Sequence, residues 1–135
     1  MRSPRLNHTA RYSHPPLTLV RSARLGQVTE EMRIVAEEEG LDLEVLRRRV
    51  ANGRVVIPVN VNHEEVKPVG IGEGLSVKVN ANVGTSPDLC DVDLEVEKAK
   101  VAVDYGADTV MDLSTGGDLD AIRRAIMEAV NVPIG

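Results

Sequence analysis

The amino-acid sequence predicts an α/β chain. An N-terminal helical and strand region is followed by the first βα units of a (β/α) barrel of TIM type, left incomplete at residue 135. Three observations carry this. After residue 75 the apolar spacing alternates between strand-like and helix-like, in the order strand, helix, strand, helix, strand start. Valine, with 21 residues, dominates the apolar set and suits buried strands and the helices that cover them. Short loops of small polar residues separate the elements. Such a βα rhythm implies parallel strands joined by right-handed crossovers.

Three stretches follow in chain order: a basic extension over 1–20, disordered or non-native, an N-terminal region over 21–74, and the start of the barrel over 75–135. Order is expected from near Arg21. Thr29 can cap a helix whose first turn holds Glu30 and Glu31; Met32, Val35 and Ala36 share its inner face and Gly40 ends it. Asp42 can cap a second helix, with Leu43, Leu46 and Val50 inward, Arg47, Arg48 and Arg49 mostly outward, and Gly53 at its end. Residues 54–61 read as a strand, at an edge or interrupted because Pro58 lacks an N–H. Residues 64–74, with Pro68, Gly70, Gly72 and Gly74, read as a loop or hairpin turn.

The barrel stretch opens with a strand over 75–80 and a polar loop over 82–87. Val92 to Tyr105 is an amphipathic helix with Val92, Val96, Ala99 and Val103 on one stripe, closed by Gly106. A buried strand over 109–113 and the loop Ser114-Thr-Gly-Gly117 come next. Asp118 to Val130 forms another helix with Leu119, Ile122, Ile126 and Val130 inward, and Val132-Pro-Ile-Gly135 opens a third strand. A parallel sheet of two strands and a stub has two open edges, so the chain reads as part of a larger domain.

Composition excludes several functions. The chain is 42% hydrophobic and 27% charged, ordinary for a globular protein. No apolar run approaches the ~20 residues needed to span a bilayer, so no membrane role is expected. A single cysteine, Cys90, excludes an internal disulfide framework and a cysteine-built zinc or iron–sulfur site within the chain. His8, His14 and His63 form no HExxH-type motif. With Tyr12 and Tyr105 the only aromatics, a base-stacking nucleic-acid platform is not expected. Residues 1–29 carry five arginines and no acid, while the rest sums to −10. The arginines alone suggest a targeting peptide, but no continuous apolar stretch accompanies them, and Pro4, Pro15 and Pro16 break a helix. The expected location is the cytoplasm.

In a (β/α) barrel, functional side chains stand at the C-terminal ends of strands. Those ends here are Asn80-Ala-Asn82 and Met111-Asp112. Asn82 and Met111 are one βα unit apart, so both can face the same mouth. An amide orients a polar substrate through donor and acceptor together, and a thioether packs against a ring or fills an apolar gap. The ordinary alternative for Met111 is a core position. The loop Asp112-Leu-Ser-Thr-Gly-Gly117 resembles an anion cradle at a helix N-terminus, although Asp118 competes for the same N–H groups. Asn60-Val-Asn-His-Glu-Glu65 offers His63 as acid–base group or ligand, against a plain turn cluster. Cys90 lies between Asp88 and Asp91, acids that disfavour a reactive thiolate. Glu95, Glu97, Lys98 and Lys100 read as a solvated helix face.

Four segments go further: Ala23-Arg-Leu-Gly-Gln-Val-Thr-Glu-Glu-Met32, Val56-Ile-Pro-Val-Asn-Val-Asn-His63, Val77-Lys-Val-Asn-Ala-Asn-Val-Gly84 and Gly106-Ala-Asp-Thr-Val-Met-Asp-Leu-Ser-Thr-Gly116. With the terminal Val132-Pro-Ile-Gly135, they make residues 21–135 resemble the N-terminal part of the phosphomethylpyrimidine synthase (ThiC) family of thiamine biosynthesis. The resemblance implies a (β/α)-barrel lyase of the radical S-adenosylmethionine type, cytoplasmic and homodimeric. Such an enzyme converts 5-aminoimidazole ribonucleotide to 4-amino-5-hydroxymethyl-2-methylpyrimidine phosphate with a 4Fe-4S cluster, S-adenosylmethionine and zinc. It assigns substrate contacts to Asn82 and Met111. It also implies that the family's cluster cysteines and metal-binding histidines lie beyond residue 135, so that this chain has no catalytic residue of its own and is inactive alone.

Two other readings stand beside it. The chain could be a non-catalytic partner module, one half of a split enzyme, for which the open sheet edge speaks. It could also be a small phosphosugar-type enzyme, which rests on the 112–117 loop alone.

Overall fold

A computed structural model describes residues 17–63 and 65–135. The expected character of residues 1–16, and of Glu64 in the His63 cluster, lies outside the described residues. The elements run α1 (Leu19–Arg24), α2 (Glu30–Glu38), α3 (Leu43–Ala51), β1 (Val55–Val56), β2 (Ile71–Gly72), β3 (Asn80–Val83), α4 (Val92–Asp104), β4 (Thr109–Asp112) and α5 (Leu119–Ala129). The architecture is a mixture of helices with two small sheets, an α/β arrangement; no closed barrel is present among the described residues.

Local chemistry explains the helical start. Thr18 caps α1 by accepting from the Arg21 N–H at 3.3 Å, so the helix begins within the stretch read as an extension. Asp42 accepts from the N–H groups of Glu44 and Val45, both at 3.0 Å, and so starts α3. Met32, Val35, Ala36, Leu46 and Val50 are buried at the spacing the sequence predicts. The arginine run departs from expectation in part. Arg48 faces outward, whereas Arg47 is partly buried and donates to the Ala23 carbonyl and to Glu44; Arg49 Nη1 donates to the Glu73 carbonyl at 3.0 Å. Long basic side chains can bury their stems while their heads find acceptors, and these two tie α3 to its neighbours.

The strand read over 54–61 shrinks to two residues. β1 pairs antiparallel with β2, Val55 opposite Gly72 and Val56 opposite Ile71, and the ladder stops short of Pro58. Gly72 has φ +143°, and a Cβ there would stand 2.2 Å from the Arg54 carbonyl oxygen, so the pairing depends on glycine. The strand read over 75–80 is displaced as well. It begins at Asn80, opposite Thr109 where β4 opens, and ends at Val83; ahead of it Ser76 N–H and Lys78 Nζ bond to Glu39, and the Val79 carbonyl accepts from the Asp108 and Thr109 N–H groups.

β3 and β4 pair in parallel through Asn80–Thr109, Ala81–Val110, Asn82–Met111 and Val83–Asp112. The terminal segment adds a parallel bridge from Ile134 to Val110, with Val110 N–H to the Pro133 carbonyl at 3.0 Å and Gly135 N–H to the Val110 carbonyl at 2.9 Å. The third strand start is where the sequence predicts it, and the three segments lie side by side in chain order.

Two cores form. Ala23, Met32, Val35, Ala36, Leu46, Val50, Val55 and Ile57 make the first. Val83, Ala99, Val110, Ile122, Ile126, Val130 and Val132 make the second, between the β3–β4 sheet and helices α4 and α5. Leu119, expected inward, is 39% exposed at the first turn of α5. Glu39, at the end of α2, joins the two parts. Its carboxylate accepts from Ser76 N–H at 2.8 Å, Ser76 Oγ at 3.0 Å and Lys78 Nζ at 2.6 Å. The Lys78 hydrogen bond first, then that of the Ser76 backbone, holds the Glu39 carboxyl below its ordinary pKa. No helix among the described residues is long and apolar enough to cross a membrane.

Ile126 is fully buried, and Ile126→Ala is expected to lower unfolding stability by about 2–5 kcal/mol, read from urea midpoints. The Glu39 clamp has a defined pH sign. Its folded pKa lies below the unfolded one, so its stabilisation is present above about pH 4.3 and is lost as pH falls through the folded value. Urea midpoints of the wild type and Glu39→Gln are therefore expected to differ near neutrality and to converge in acid.

Candidate functional site

Alternation along the parallel pair sorts the side chains. Val83 and Val110 point into the core under α4 and α5. Asn80, Asn82, Thr109 and Met111 leave the sheet on the opposite side, and the register places Asn82 directly beside Met111. The two residues singled out by their spacing are thus neighbours on one face. Asn82 is exposed and Met111 is 37% exposed, so neither is a core position. Thr109 Oγ1 donates to Asn80 Oδ1 at 2.9 Å, and Asn80 Nδ2 donates to Asn82 Oδ1 at 2.9 Å. This relay engages the oxygen of the Asn82 amide and leaves its Nδ2 as the donor. Gly135 lies against Met111: a Cβ at 135 would stand 3.1 Å from the Met111 sulfur.

The loops behind this face are tightly bonded. Leu113 N–H donates to the Val83 carbonyl at 2.8 Å and Thr115 N–H to the Thr85 carbonyl at 2.8 Å. Buried Thr85 donates its Oγ1 to the Gly116 carbonyl at 2.6 Å, and its N–H goes to Ser114 Oγ at 3.1 Å. Gly84, at φ +149°, fits here because a Cβ would lie 2.5 Å from the Leu113 carbonyl carbon. Asp112 Oδ1 accepts from Ser114 N–H at 3.0 Å, and its buried Oδ2 lies 3.6 Å from Arg123 Nε.

Glu95 corrects the expectation of a wholly solvated face on α4. It is 1% exposed; Oε2 accepts from the Gly84 N–H at 2.7 Å and Oε1 pairs with Lys98 Nζ at 2.6 Å. Glu97, Lys98 and Lys100 are exposed as read. The signal for the buried acid is spacing: Glu95 lies three residues after Val92 and four before Ala99, on the inward stripe.

The other candidates have structural partners. In the 112–117 loop, the N–H groups of Ser114 and Thr115 already donate within the protein, and Asp118 Oδ1 takes the Ala121 N–H at 3.1 Å. The chain itself thus takes the Ser114 and Thr115 donors of the loop and the Ala121 N–H at the helix start. His63 is buried and its Nε2 donates to the Val130 carbonyl at 2.8 Å, while Asn60 Oδ1 accepts from Asn62 N–H at 2.9 Å. That is a turn cluster strapped to the end of α5. Cys90 is exposed, with Sγ 3.5 Å from the Gly116 carbonyl oxygen. A cleft of about 1160 Å³ opens beside His63, between Asn60, Asn62 and the outer sides of α4 and α5. Asn82 and Met111 do not line it, and its rim mixes Lys100, Arg123 and Arg124 with Asp104, Asp120 and Glu128. Size alone does not make it the site: its charges are of both signs, with Arg123 Nη1 3.9 Å from Asp120 Oδ1, and apolar lining with a few convergent polar groups is what marks a ligand pocket. One cysteine does not fit an iron–sulfur cluster, and no group of three or more His, Cys, Asp or Glu stands together as a metal site among the described residues.

Comparison with known proteins gives one answer. The model of the family described as Radical SAM ThiC family matches residues 18–135. The chain is 64% identical over 119 residues to phosphomethylpyrimidine synthase of Thermococcus kodakarensis. It is 64% identical over 120 residues to that of Methanopyrus kandleri and 62% over 120 to that of a Thermus thermophilus strain. Each match takes in 88% of this chain and 28% of the relative, so the chain spans little more than a quarter of the curated proteins it matches.

Thr85→Val removes the Oγ1 bond to Gly116 at nearly constant volume. It is expected to cost about 1–3 kcal/mol of stability and to speed amide exchange at Thr115, measured by denaturation and hydrogen exchange.

Proposed function

The chain belongs to the Radical SAM ThiC family, and from that premise we propose that it is the N-terminal portion of a phosphomethylpyrimidine synthase of thiamine biosynthesis. In this reading residues 21–74 form an N-terminal region and residues 75–135 open a (β/α) barrel. The face carrying Asn80, Asn82, Thr109 and Met111 looks into the barrel and forms one wall of the pocket for 5-aminoimidazole ribonucleotide. The single observation that carries it is the register pairing of Asn82 with Met111 on the face turned away from the helices, near the C-terminal ends of parallel strands. Val77 and Val79, 93% and 58% exposed on the approach to β3, are apolar surface of the kind that further strands cover.

The residues have separable tasks. Asn82, its oxygen engaged by Asn80, presents Nδ2 to a ring nitrogen or carbonyl-type acceptor. Met111 offers a polarizable thioether to the face of the heterocycle and keeps water from that side. The family's cofactors supply the radical that begins the lyase rearrangement to the pyrimidine phosphate, but one cysteine does not fit the cluster, and the described residues bring no zinc site together. No chemical step is assigned to them, and the chain by itself is without turnover. Its contribution is to hold and orient the substrate. A second reading, a partner module completed by another polypeptide, is favoured by one feature: among the described residues, β3 has no partner on its outer edge.

The test is a fusion of residues 18–135 to the remaining portion of the Thermococcus kodakarensis relative. It is expected to restore growth of a strain lacking the thiamine pyrimidine. Within it, Asn82→Ala is expected to raise KM for the ribonucleotide about 10- to 100-fold, the weight of one polar contact left unmade. A correctly folded fusion without activity, or an unchanged KM in the Asn82→Ala fusion, would overturn the reading. Activity from two separately expressed polypeptides would favour the split arrangement.

A further inference from the structure

We propose that Glu95 is a positioning residue for the substrate-binding strand end: it sets the place of Asn82 through the backbone of Gly84. The inference rests on the reading of Asn82 as a substrate contact. Its geometry stands independently. Glu95 is the carboxylate that reaches from α4 to the exit of β3, and its Oε2 accepts from the Gly84 N–H at 2.7 Å. Gly84 follows Asn82 by two residues. Its backbone also presses on Leu113 and Ser114, so closely that a Cβ would lie 2.5 Å from one and 2.6 Å from the other. Leu113 follows Met111 by two residues. One carboxylate therefore grips the point at which the exits of both strands meet.

Glu95 is itself an acid of the first turn of α4, where the helix dipole favours a carboxylate, but that role does not require burial: Asp91 already caps the helix, accepting from Leu94 N–H at 3.1 Å, and Asp93 stands in the same turn. Burying a carboxylate is costly, and an apolar side chain of the same volume would be buried there without the desolvation of a charge. Its pairing with Lys98, which is 45% exposed, offsets part of it. What the acid adds that an apolar residue cannot is a charge-assisted acceptor for one particular N–H. Asn82 itself is held on its other side by the ladder and by Asn80. The Gly84 bond completes the constraint from the C-terminal side.

The experiment uses the fusion enzyme described above, with Glu95→Ala, Glu95→Asp, Glu95→Gln and, as control, Glu97→Gln on the exposed face. Steady-state kinetics and hydrogen exchange of the peptide containing Gly84 are measured together. Glu95→Ala, and Glu95→Asp with its shorter reach, are expected to raise KM for the ribonucleotide about tenfold with kcat within about threefold, and to speed exchange at Gly84. Glu95→Gln keeps an acceptor and is expected to stay within about threefold of the parent in KM, and Glu97→Gln to match the parent. If Glu95→Ala does not fold, the contrast of Asp with Gln carries the test.

A folded Glu95→Ala with unchanged KM overturns the proposal. So does a raised KM without faster exchange at Gly84, or a Gln variant as impaired as the Ala or Asp one. An unchanged KM in Asn82→Ala removes the substrate reading instead. A KM raised by Asn82→Ala but by no Glu95 variant removes only the positioning role.

Discussion

Parallel pairing of β3 with β4 is the constraint around which the second half of the chain is organised. Two parallel strands cannot be joined by a tight turn; the chain must travel back along the sheet before the next strand begins. α4 makes that return, and its inner stripe, Val92, Val96, Ala99 and Val103, covers one side of the pair. Once that side is committed to helices, alternation leaves Asn80, Asn82, Thr109 and Met111 on the other. The polar face is therefore a consequence of the crossover. The same logic repeats with α5 and the Ile134 bridge, so each return adds one more strand end to the same rim.

The first half of the chain meets this sheet through polar contacts and keeps its own core. Glu39 receives Ser76 and Lys78, His63 is strapped to the Val130 carbonyl, and Lys67 N–H donates to the Asn131 carbonyl at 2.7 Å. These contacts fall at both ends of the second half, one before β3 and two after α5. Ahead of β3, which has four residues, Ser76 N–H and Lys78 Nζ are engaged by the Glu39 carboxylate.

Much of this is legible in the sequence because period and punctuation agree. Glycines at 40, 53 and 106 close helices as read, and Asp42 opens one with both of its expected bonds. The spacing between Asn82 and Met111 puts them one βα unit apart, and the ladder makes them partners. What misleads is a side chain whose partner is remote in sequence. The apolar alternation over 75–79 looks like strand because valines alternate there, but Ser76 and Lys78 bond to Glu39, some 37 residues away, and ladder partners begin only at Thr109, opposite Asn80. β1 is shorter than its run of apolar residues suggests because its partner, β2, offers two residues only. Glu95 reads as solvated on its charge, although its place on the helical stripe points inward. Charge is a guide to exposure only where no donor waits inside.

Glycine at 84 lets the two strand exits come so close, and Glu95 meets the N–H at that point. Gly84 and Leu113 approach within a distance that no side chain at 84 could share, and crowded backbone of this kind must still find an acceptor for each N–H. Ser114 Oγ accepts from the Thr85 N–H, Asp112 from that of Ser114, and the Thr85 carbonyl from that of Thr115. The acceptors of the two strand exits are thus engaged with one another, and the Gly84 N–H is met from outside them, by a side chain of the covering helix. An acceptor with length and charge offsets the desolvation of that N–H, which an apolar residue at 95 would leave unpaired. The helix that closes the sheet from behind therefore also determines how the front of the sheet is presented.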